Sequence, residues 1–171
     1  MEPDAMHPTM ERLNGWAVAT IRVFKGGEPA LAAAAGDALG AAWPQRHGEW
    51  TGTGPWLLWR SPQERLALAC TREQLGALLS ALRPGASESG CALDLSEAVA
   101  LWRLQGEALP GVLARLADAS ALPAPGSATR LRWADVAVVL ARHSEHEALL
   151  LADATLEPYL QNWWAYACEG L

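Results

Sequence analysis

One order of elements runs through the chain twice, and it restricts the possible folds more than any other feature. Residues Trp16 to Phe24 alternate and carry Val18, Thr20, Ile21 and Val23, the pattern of a strand. Gly26-Gly27 break it, Pro29 suits the first turn of a helix, and Ala30 to Ala42 has high helix propensity, with Leu31, Ala35, Ala38 and Ala42 on one face and Pro44 as the stop. A Gly/Thr/Pro-rich loop over 44–55 follows. Pro55 to Arg60 and Arg65 to Cys70 then flank a Ser61-Pro62-Gln63-Glu64 turn and read as a hairpin. Thr71 and Gln74 form a capping box before the i, i+3, i+4, i+7 stripe Leu75, Leu78, Leu79 and Leu82, and Pro84-Gly85 stop that helix.

After a Pro/Gly/Ser-rich linker over 84–90 the order returns. Leu93 to Gln105 is strand-like, Gly106 breaks it, and Leu109, Val112, Leu113 and Leu116 repeat the helical stripe. Pro123 and Pro125-Gly126 turn the chain, Thr129 to Ala141 reads as strand, Arg142 to Glu147 as a polar turn, and Ala148 to Ala152 as another strand. A last helix starts near Leu156, with Thr155 as its N-cap and Pro158 in its first turn. Leu156, Tyr159, Leu160, Trp163, Trp164 and Ala167 form its apolar side. The fold class is therefore α+β, as two βαββα-type halves packed together. The expected organisation is a flexible N-terminal tail over 1–14 and a single domain over 15–171, with halves at about 16–83 and 93–169.

A chain of 171 residues fits one domain, and 51% apolar against 19% charged residues supports a real core. No run of ~18 apolar residues is present to span a membrane. Residues 1–15 lack the apolar run of a secretory signal, which points to the cytoplasm. The net charge is −6, and the basic residues, all Arg except Lys25, are scattered, so nucleic acid is not an expected partner.

Motifs that carry chemistry are few. Neither a dinucleotide fingerprint nor a P-loop is present, and no G-x-S-x-G occurs. Lys25-Gly26-Gly27 before a helix start can be an anion site or a plain turn. His143, Glu145, His146 and Glu147 carry metal-ligand types without a second cluster and read as a turn between strands. Asp94, Ser96 and Glu97 read as local backbone partners. Cys70, Cys91 and Cys168 lie far apart and read as small buried hydrophobes, not as a disulfide framework.

The aromatic balance is unusual: nine Trp against two Tyr and one Phe. Trp is favoured at protein interfaces because it joins a large apolar body to one polar N–H. Trp163 and Trp164 are adjacent on the last helix, about 100° apart, so either the buried face is wide or one of them meets a partner. Together with Trp56 and Trp59 on the hairpin they are the candidate partner interface. No catalytic, cofactor-binding or metal-binding residue is assigned.

Three stretches resemble the gamma subunit of heterotetrameric sarcosine oxidase. They are Leu93-Asp94-Leu95-Ser96 with Val99–Leu104 and Gly106, the run Thr129 to Val136, and the closing Leu156-Glu157-Pro158-Tyr159-Leu160-Gln161-Asn162-Trp163-Trp164. Gly54-Pro55-Trp56-Leu57-Leu58-Trp59 carries the likeness in the first half. The resemblance implies a fold similar to the folate-binding domain of aminomethyltransferases. It also implies an accessory subunit that is not catalytic alone, within a complex oxidising N-methyl amino acids in one-carbon metabolism. FAD, FMN, NAD and tetrahydrofolate then belong to large alpha and beta subunits, and zinc to a small delta subunit, with no cofactor on this chain. The alternative it implies is a stand-alone folate-binding or folate-dependent protein of the same fold.

Overall fold

The computed structural model of the chain describes residues 7–83 and 88–170. Pro84-Gly85 and most of the expected linker lie outside them, as do residues 1–6 of the expected tail. The chain divides into two compact units, 15–97 and 1–14 with 98–171.

In the unit of residues 15–97, β2 (Ala17–Val23) leads into α1 (Glu28–Leu39), then β3 (Trp50–Gly52), β4 (Trp56–Ser61), β5 (Glu64–Cys70), α2 (Arg72–Ala81) and β6 (Gly90–Asp94). The antiparallel pairings give the order β3-β4-β5-β2-β6. Helix α1 has Pro29 in its first turn and ends before Ala42, because Gly40 takes the left-handed conformation (φ 67°) and donates its N–H to Gly36 O. Its buried stripe is Leu31, Ala35 and Leu39, with Ala42 outside the helix. Helix α2 begins with the expected capping box: Thr71 Oγ1 accepts from Gln74 N (3.1 Å), and Gln74 Oε1 accepts from Thr71 N (2.9 Å). Both helices cover one face of the sheet, Leu31, Leu75 and Leu78 meeting Ala19, Ile21, Leu57 and Ala67. Strand β3 falls inside the stretch expected as loop. At three residues it is too short to show a period of its own.

The other unit is built from β1 (Thr9–Arg12), β7 (Val99–Gln105), α3 (Leu109–Leu116), β8 (Ala128–Trp133), β9 (Val136–Arg142), β10 (Glu147–Asp153) and α4 (Glu157–Cys168). Its order is β1-β7-β10-β9-β8. All four residues of the α3 stripe, Leu109, Val112, Leu113 and Leu116, are buried. They pack with Trp102, Leu140, Leu150, Leu160 and Trp164 into one core.

Four stretches depart from the sequence pattern. Residues 9–12 are not tail: they form an edge strand paired with β7 over Thr9↔Gln105 to Arg12↔Trp102. Arg12 forms an ion pair with Glu157 and lies over the Trp102 ring at 5.5 Å. The stretch 93–105 is two strands of different sheets, separated at 95–98, so the halves do not divide at 84–92. The stretch 129–141 is a hairpin whose turn, Ala134-Asp135, adopts positive φ (44° and 69°) without the usual Gly or Asn. Thr155 does not cap the last helix. Asp153 accepts from Thr155 N (2.8 Å) and Oγ1 (2.6 Å), starting a 3-10 turn over Ala154–Leu156 that leads into α4.

The two sheet orders correspond. Reading β8, β9, β10 and β7 for β3, β4, β5 and β2 leaves β1 in the place of β6. Each of these fifth strands precedes one half in the chain and completes the sheet of the other. The two closing hydrogen bonds also match: Leu95 N donates to Val18 O, and Leu13 N donates to Leu101 O, both at 2.8 Å.

Candidate partner-binding surface

Helix α4 has two aromatic sides. Leu160, Trp164 and Ala167 recur at i, i+4, i+7 and turn into the core. Trp164 stacks on Trp133, with ring centroids 6.2 Å apart and planes 13° apart. One residue earlier, about 100° around the axis, Trp163 is 39% exposed. Tyr159 (38%) and Tyr166 (65%) share that outer side. The three outer rings form a continuous ladder, edge to face at 6.3 Å for Tyr159–Trp163 and 5.8 Å for Trp163–Tyr166. The ladder is held at both ends. Tyr159 Oη donates to Ala134 O at 2.6 Å, which ties it to the β8–β9 turn. Arg115 at the end of α3 donates through NH1 to Ala167 O (2.7 Å) and Glu169 O (2.9 Å), satisfying carbonyls at the C-terminal end of α4.

Open hollows flank Trp163. One, of about 420 Å³, is walled by Arg115, Leu116, Tyr166 and Glu169; another, of about 410 Å³, by Asn162 and Tyr166. A third, of about 540 Å³, reaches Arg132, Ala134 and Asp135. Arg132 NH2 donates to Asp135 O at 2.6 Å. Asp118, on the same hollow, is held below the usual carboxylate range by hydrogen bonds from the Ser120 N–H and hydroxyl. Trp, Tyr and Arg are residue types enriched at protein–protein contacts, while Asp118, Asp135 and Glu169 place carboxylates around the same hollows.

The four Trp of the predicted interface therefore separate. Trp163 faces out and Trp164 faces in. Trp56 and Trp59 are half-buried on β4 and engaged within the chain. Trp56 lies against Trp50, with centroids 6.1 Å apart, and Trp59 meets His47 edge to face at 5.4 Å. Beneath Trp59 is a feature no sequence pattern announced. The Arg65 guanidinium is 4.9 Å from the Trp43 ring and 5.8 Å from the Trp59 ring. It donates to Pro44 O (2.8 Å), Ser61 O (2.6 Å) and Glu28 Oε1 (2.9 Å). Trp43 Nε1 donates to the same Glu28 oxygen at 2.7 Å. Desolvation lowers the pKa of Arg65, and Glu28 and Glu49 oppose that shift. Every one of these contacts is internal, so the cluster fixes the loop between α1 and β3.

The remaining candidates take local roles. Ser96 Oγ donates to Asp94 Oδ1 (2.6 Å) and accepts from Val18 N (3.1 Å), joining the end of β6 to β2. Around 143–147 the backbone closes a turn, with His143 N and Ser144 N both donating to Glu147 O. Burial sets His143 below the ordinary histidine pKa against the pull of Glu147, with Arg103 adding a smaller downward push. Among the described residues, no three His, Cys, Asp or Glu side chains gather as a metal site. At the start of α1, Gly27 N donates to Phe24 O, and Ser89 O stands 1.8 Å from where a Gly27 Cβ would be. Chain atoms thus occupy the space beside the Lys25-Gly26-Gly27 turn. No described helix is long and apolar enough to cross a membrane.

No protein-family model matches the sequence, and no curated protein matches it. Solved structures do. A chain of the heterotetrameric sarcosine oxidase from Corynebacterium sp. U-96, determined with pyrrole 2-carboxylate, superimposes with a TM-score of 0.81 and is 28% identical, over 94% of this chain and 83% of that one. The glycine cleavage system aminomethyltransferase T from Bartonella henselae is similar over 93% of this chain and 45% of its own (TM-score 0.63, 12% identity). The regulatory subunit of aspartate kinase from Thermus thermophilus is similar over 94% and 98% (TM-score 0.51, 16% identity), a likeness of fold alone. The α+β architecture, two similar units each with a five-stranded antiparallel sheet and two helices, is the one shared with the sarcosine oxidase chain and the aminomethyltransferase, as the family resemblance implied, with three strands and not two between the helices of each half.

Proposed function

We propose that this chain is an accessory, gamma-type subunit of a sarcosine oxidase-like flavoenzyme complex that oxidises N-methyl amino acids in the cytoplasm. The observation that carries the proposal is the likeness to the sarcosine oxidase chain, 28% identical over 94% of the sequence. In this reading the chain turns over no substrate alone. FAD, FMN, NAD and tetrahydrofolate sit in large alpha and beta subunits, and zinc in a small delta subunit. The outer ladder of α4 supports the reading from the surface side. Its three aromatic rings are already ordered by one another and by Ala134, so little side-chain freedom remains to be lost on association.

The test is co-expression of the large and small subunits with and without this chain, followed by light scattering and N-methyl amino acid oxidation. The expected result is one assembly that contains the chain and falls apart or loses activity without it. An assembly of the same stability and turnover lacking the chain overturns the proposal. Within the complex, Trp163→Ser is expected to weaken incorporation of the chain at least about tenfold, as loss of a central aromatic contact does. Trp56→Ser is expected to change it far less.

A further inference from the structure

We draw no further inference here: the strongest candidate, the open hollows on either side of Trp163 between α3, the β8–β9 turn and α4, belongs to the surface already described, and nothing in the structure shows what covers it.

Discussion

Trp163 and Trp164 are neighbours in sequence with opposite energetic roles. Trp164 is 9% exposed and stacked on Trp133. Replacing it with Ala removes a large buried ring and leaves a cavity, so the expected cost is about 3–5 kcal/mol. Trp163→Ser removes a partly exposed ring that meets Tyr159 and Tyr166 edge to face, and the expected cost is smaller, about 1–2 kcal/mol. Urea unfolding of the two variants checks this, and equal losses would contradict the assignment of faces. Cys70 gives a second prediction at this scale. Burial pushes its thiol up to about 12. The folded chain therefore keeps this proton at pH values where the unfolded chain has released it. The contribution is fully present below the ordinary cysteine pKa of ~8.5 and is lost as pH rises toward 12, at about 1.4 kcal/mol per pH unit. Stability measured at pH 7.5 and 9.5 is expected to fall more in the native chain than in Cys70→Ala, by about 1.4 kcal/mol; parallel losses would refute it. The sequence left two readings of the Trp163-Trp164 pair open, a wide buried face or one outward-facing Trp, because adjacent helical residues cannot share one narrow stripe. It did not show that Trp163 is the outward one, nor that Tyr159 and Tyr166 would stand beside it. It gave no sign that Arg65, in an apolar strand, would be buried between two indole rings, since its carboxylate partner is 37 positions away.

At the scale of elements, what is local was readable. The capping box of α2, the stripe of α3 and the β4–β5 hairpin follow from residues within one or two turns of each other. The misreadings arise where a distant segment decides the outcome. Residues 9–12 show no sustained period because β1 is an edge strand of four residues, yet β7 supplies its partners. Gly106 makes that docking possible. Its φ is +140°, and a Cβ there would lie 2.6 Å from Pro8 Cα and 3.0 Å from Pro8 Cβ, so a side chain would drive residue 8 off the sheet edge. Gly106→Ala is expected to cost about 2 kcal/mol through the strained backbone and the displaced strand. For a chain of this size that lowers Tm by about 4–8 °C. Hydrogen exchange adds a readout specific to the mechanism: the amides of residues 9–12 should lose protection before those of β9 and β10. A uniform loss across the sheet would show that the glycine matters for another reason.

The whole molecule carries the one feature that no reading of periodicity could supply, namely which sheet each strand joins. Segment 93–105 looks like a single strand because both its parts are apolar and alternate. Residues 95–98 nevertheless divide it between two sheets, with β6 pairing to β2 and β7 to β10. The repeat was visible as an order of elements, while the exchange of fifth strands was not, because it depends on pairings as distant as Thr9 with Gln105 and Ala19 with Asp94. The exchange makes a prediction that separates the observed units from the halves read off the sequence. Leu78 is fully buried beneath the first sheet, in contact with a core that includes Ala92 of β6. Leu78→Ala should cost about 2–5 kcal/mol and lower the free energy of local opening for the segments that depend on that core. Native-state hydrogen exchange should then show faster exchange in β2, β5 and β6 together, with β1 and β7 less affected, although β6 follows the expected linker and β1 precedes the first half. If β6 instead tracked β7, the cooperative unit would follow the order of the chain and not the pairing of its strands.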